Sequence, residues 1–71
     1  MKTSLKIVVG RRIKEVRQKA GFTQEELAEN SGVDYKYLQT MEGKNPPNLK
    51  LETIEKLAQA LKISPAKLLD F

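Results

Sequence analysis

The chain has no cysteine and no histidine. Disulfides are therefore excluded, along with the commonest soft-metal ligands, which fits a reducing compartment. No apolar run approaches the length of a membrane span. Ile7-Val8-Val9 falls far short of a signal-peptide core, so a soluble protein of the cytoplasm is expected. The missing residue types also remove the usual general base and thiol nucleophile. No carboxylate pair is set apart for acid–base work, and no glycine loop is built to cradle phosphate. No internal repeat, low-complexity segment or linker divides the chain. The expectation is one domain over residues 1–71, with no enzymatic activity, metal, cofactor or small-molecule site.

What the sequence does have is charge and helix punctuation. The net charge is +4, unevenly spread. Lys2, Lys6, Arg11, Arg12, Lys14, Arg17 and Lys19 face only Glu15 in the first part of the chain, whereas Glu25, Glu26 and Glu29 follow close together. A basic excess points weakly toward phosphate, since most lysine runs are simply solvated faces.

The helix signals are more telling. Val9, Ile13 and Val16 form one apolar stripe in a first helix from about Ser4 to Lys19, with Gly21 placed as its stop. Thr23-Gln24-Glu25-Glu26 is a capping box, and Phe22 is spaced to staple over Leu27. A second helix then runs over about Gln24–Asn30. After Asn30-Ser31-Gly32-Val33, Asp34 is a second N-cap, with Val33 and Leu38 as another staple. It opens a third helix over about Tyr35–Glu42. Pro46 and Pro47 oppose helix, so Gly43 to Asn48 is loop. A fourth helix spans about Lys50–Leu61, with Leu51, Ile54, Leu57, Ala58 and Leu61 on one face. Ser64-Pro65 starts a last short helix, with Ile63 and Leu68 as a third staple. Ser64-Pro65-Ala66-Lys67 also matches a serine–lysine spacing of penicillin-binding enzymes. Its companion motifs are missing, and capping already explains the serine and proline.

Two short helices joined by a glycine turn between about 23 and 42 are the layout of a DNA-reading helix-turn-helix. On a helical wheel for the third helix, Leu38 and Met41 mark the buried side. Lys36, Gln39 and Thr40 point away, with Tyr35 at the exposed end and Tyr37 on a flank. A cation, an amide and a hydroxyl suit base edges in the major groove. The candidate base contacts are therefore Tyr35, Lys36, Gln39 and Thr40. Gln24 lies in the first turn of the second helix, where free N–H groups and the helix dipole favour a phosphate. Lys44 and Asn45, beyond the third helix, are further phosphate candidates.

The residues also suggest a family. Val9-Gly10-Arg11-Arg12-Ile13-Lys14-Glu15-Val16-Arg17 leads into Ala20-Gly21-Phe22-Thr23-Gln24-Glu25-Glu26-Leu27-Ala28. Gly32-Val33, Leu38, Met41-Glu42 and Ala58-Gln59-Ala60-Leu61 follow at fitting intervals. From about Val9 to Leu69 the chain resembles the phage-repressor (Cro-like) helix-turn-helix regulators. It departs in placing Gly43 directly after Glu42, where that family has one residue between. The resemblance implies a compact all-α, five-helix, repressor-like domain that binds double-stranded DNA as a homodimer. It implies a structural pair between Arg17 and Glu42, and a backbone phosphate held by Gln24. One or two of Leu68, Leu69 and Phe71 should complete the core, leaving the rest for self-association. The competing expectation is a protein-binding adaptor on the same fold, of the coactivator or antitoxin type. The polar outer face of the third helix favours DNA.

Overall fold

The computed structural model describes residues 4–71, so Lys2 of the basic stretch lies outside the described residues. Five helices and no strand make up this part: α1 (Leu5–Lys19), α2 (Gln24–Ser31), α3 (Tyr35–Met41), α4 (Leu51–Leu61) and α5 (Pro65–Leu68). Each sits within a residue or two of its sequence expectation, because the local start and stop signals operate as read. The Thr23 hydroxyl accepts from Glu26 N–H at 3.0 Å, and the Glu26 carboxylate accepts from Thr23 N–H at 2.8 Å. Asp34 accepts from Tyr37 N–H at 3.1 Å, and Ser64 from Lys67 N–H at 3.1 Å.

Two turns rely on glycine. Gly21 (φ +81°) and Gly32 (φ +75°) occupy the left-handed region, where a Cβ is penalised. Past α1, Phe22 N–H reaches back to Arg17 C=O at 3.1 Å, the closing bond of a Schellman-type stop. The same bond ends α4, from Ile63 N–H to Ala58 C=O at 3.0 Å. There the left-handed residue is Lys62 (φ 60°), a lysine that gives no stop signal in the sequence.

One core gathers a stripe from every helix. Ile13, Leu27, Leu38, Met41, Leu57 and Leu68 are its fully buried large side chains. Helix α2 packs between α3 and α4, while α1 lies against α3 and α5. Phe22 and Ile63 press on the core from outside, as the staples require. Leu51 corrects the expected face of α4, for it is 83% exposed while Ile54, Leu57, Ala58 and Leu61 are buried. It begins the helix, one turn before Ile54, and lies at the rim of the packed face. Leu51 joins Leu5, Val9, Leu49, Ile54 and Leu69 around an open apolar groove.

Candidate nucleic-acid interface

Burial of Leu38 and Met41 fixes how α3 sits, and this leaves Tyr35, Lys36, Gln39 and Thr40 exposed together. The four candidate base contacts thus share one outer surface. Two are partly engaged. Gln39 Nε2 donates to the Tyr35 hydroxyl at 3.1 Å, one turn earlier. The Thr40 hydroxyl donates to Lys36 C=O at 2.8 Å, while the residue stays exposed. Tyr37, expected on the flank, is half-buried and donates its hydroxyl to Asn48 C=O at 3.2 Å, tying α3 to the following loop.

Behind this surface lies a closed polar network. Arg17 donates from Nε to Glu42 Oε2 and from Nη2 to Glu42 Oε1, each at 2.9 Å, in a fork-to-fork pair. Its remaining nitrogen, Nη1, donates to Phe22 C=O at 2.8 Å. Only 9% of the Arg17 side chain and 2% of the Glu42 side chain are exposed. The expected pair is therefore present and nearly dry. It fastens α1 to the end of α3, with Glu42 as the C-cap residue of that helix.

Gln24 enters the same network. Its amide Nε2 donates to Glu42 Oε1 at 3.0 Å, and the residue is half-buried. This bond adds a structural tie to the phosphate role expected of Gln24, whose amide keeps a second N–H at the amino end of α2. The α2 dipole and first-turn N–H groups favour an anion there, while the Gln24 side chain ties α2 to the end of α3. Lys44 and Asn45 stand exposed in the loop after α3.

Four residues have places here that the sequence analysis does not assign them. Gly10 is where α1 crosses α3, and a side chain there would collide with Met41 C=O. Arg12, counted only as surface charge, donates to Leu68 C=O at 3.1 Å and Lys67 C=O at 3.0 Å. It thereby caps the carboxyl end of α5 while also pairing with Glu15 at 2.9 Å. Arg11 and Lys14 line a depression with Glu42, Gly43 and Lys44. A glycine inside an otherwise well-formed helix was the one available hint, since such a position usually marks a close approach.

The terminal apolar residues divide as anticipated. Leu68 is fully buried, Leu69 half-buried and Phe71 61% exposed. Among the described residues no helix is long and apolar enough to cross a membrane, and no acidic cluster could hold a metal ion.

Residues 13–68 match a family model described as helix-turn-helix. The chain is similar to the HTH-type transcriptional regulator SinR of Bacillus subtilis, at 36% identity over 63 residues. That match covers 89% of this chain and 57% of the relative, so the chain spans little more than half of SinR. It is 31% identical over 72 residues to the control protein C.BamHI of Bacillus amyloliquefaciens, covering all of this chain and 88% of that protein. Among solved structures, the restriction-modification controller C.AhdI of Aeromonas hydrophila superposes with a TM-score of 0.82 at 40% identity, covering 89% of this chain and 94% of that one. SinR in complex with DNA superposes with a TM-score of 0.80 at 37% identity, covering 87% and 98%.

Proposed function

This chain belongs to the helix-turn-helix family, and from that premise we propose that it is a sequence-specific DNA-binding regulator of transcription. The carrying observation is the outer face of α3, where Tyr35, Lys36, Gln39 and Thr40 stand exposed on a helix whose opposite side is locked into the core. Helix α3 would lie in the major groove, with Lys36 and Gln39 reading base edges and α2 crossing the backbone. Gln24, Lys44 and Asn45 would fix register on phosphate. SinR, similar across most of this chain, has been solved in complex with DNA, which supports DNA as the partner. Repression fits best, because it needs only occupancy of the site. Such a regulator works in the cytoplasm, alongside the DNA.

The active form would be a homodimer on an approximately two-fold site, each copy presenting one α3 to a half-site. A second copy of the chain is the occupant that suits the apolar groove around Leu5, Leu51 and Leu69. Leu5 and Leu51 are too exposed to contribute much to a monomer.

Selection of bound sequences from random duplex DNA, followed by titration of variants, tests the reading. Lys36→Ala or Gln39→Ala should cost about 1–3 kcal/mol on the best site and relax preference at particular base pairs. Gln24→Ala should weaken binding alike on every sequence. Variants of Lys36 and Gln39 that keep the full preference profile would remove α3 as the reader and favour a protein-binding adaptor.

A further inference from the structure

Three cations gather beside the carboxyl end of α3. Arg11 and Lys14 stand one turn apart on α1, and Lys44 belongs to the loop that follows α3. With Ile7, Glu42 and Gly43 they line one open depression, and all three are exposed. The neighbouring arginines are committed elsewhere, Arg12 to Glu15 and Arg17 to Glu42. Among the described residues, Arg11, Lys14 and Lys44 take part in no ion pair and no side-chain hydrogen bond.

Glu42 is the one acid at the depression, and it does not neutralise them. Both of its carboxylate oxygens are occupied, by Arg17 and by Gln24, and its side chain is 2% exposed. Its charge is already matched inside the protein. The cluster therefore presents an uncompensated positive surface. Glu42 also fixes where that surface lies. Through Gln24 it adjoins the amino end of α2, and as the C-cap residue of α3 it adjoins the reading helix.

A row of cations next to a groove-reading helix meets a polyanionic strand. We propose that Arg11 and Lys14 of α1 act with Lys44 as a phosphate anchorage for duplex DNA, flanking the bases read by α3. This inference rests on the DNA-binding reading and extends the interface to α1, which the helix-turn-helix itself does not include. Cations at i and i+3 lie roughly 5–6 Å apart at Cβ, so a single strand can engage both. Such contacts carry no sequence information. They appear in the salt dependence, where each neutralised phosphate contributes about 0.9 to the slope of log affinity against log salt.

The test is fluorescence anisotropy with a labelled duplex of random sequence and with the selected site, from 50 to 200 mM salt. The Arg11→Gln/Lys14→Gln double variant should lower the slope by about two on both duplexes. Across that fourfold rise in salt, wild type should lose about twelve-fold more affinity than the double variant. Arg11→Lys/Lys14→Arg should keep the wild-type slope, and Lys67→Gln on α5 should leave it unchanged. Circular dichroism melts would establish that the exposed substitutions leave the fold intact. A double variant whose slope equals that of Lys67→Gln, in a protein that binds DNA, overturns the anchorage alone. Wild type that binds neither duplex overturns the DNA reading and the anchorage with it.

Discussion

At the scale of single residues, Arg17 and Glu42 carry the clearest energetic consequence. A buried ion pair is costly to dehydrate, and it is worse to leave one charge behind. Here each charge is fully partnered: the guanidinium by a fork of carboxylate oxygens and Phe22 C=O, the carboxylate by Arg17 and Gln24. Arg17→Ala or Glu42→Ala should each cost about 3–5 kcal/mol, against about 0–1 for an exposed pair. The double variant should lose less than the sum, because the second substitution removes the stranded charge. Urea denaturation of the three variants measures this, and additive losses would break the coupling. Gln24→Ala tests the edge of the same network. A stability loss larger than a surface substitution gives would follow from its bond to Glu42.

At the scale of elements, the two packed faces of α1 do different work. One receives α3 through Gly10, where backbone meets backbone with no side chain between. Alanine is the better helix former by about 1 kcal/mol, yet Gly10→Ala should lower the melting temperature. The added methyl would drive Met41 C=O away and separate α1 from α3, an overpacking cost of about 1–3 kcal/mol or more. A raised melting temperature by differential scanning calorimetry would show that the helices have room. The same contrast explains what the sequence made legible. Thr23, Asp34 and Ser64 act on amides three residues away, so their roles could be read from spacing alone. The exposed set on α3 followed from Leu38 and Met41 by helical periodicity. The roles of Gly10, Arg12 and Gln24 depend on partners on other elements, at Met41, Leu68 and Glu42. No local pattern encodes such distances. Leu51 was misplaced for a related reason, since periodicity gives a helix face but not where its neighbours stop.

For the whole molecule, size and surface bear on assembly. The described residues extend 35 × 24 × 22 Å. Two copies in side-by-side contact can therefore set their reading helices roughly 34 Å apart, the separation of half-sites one turn along the duplex. Analytical ultracentrifugation should find a dimer on a two-fold duplex. Leu51→Ser should weaken that dimer while leaving the monomer's stability within about 0.5 kcal/mol, because Leu51 is 83% exposed before association. A dimer indifferent to Leu51→Ser would place the interface away from the apolar groove, and a strict monomer on an asymmetric site would end the two-fold reading.

The bonds from Arg12 to the end of α5 also have a history in time. The carbonyls that Arg12 holds belong to residues 55 and 56 positions later. At about 5–20 residues added per second, the ribosome takes roughly 3–11 s to travel from one to the other. Through that interval the apolar side of α1, with Ile13 on it, has been made but Leu68 has not. The part of that surface that meets α5 thus stays uncovered until α5 arrives and Arg12 latches it.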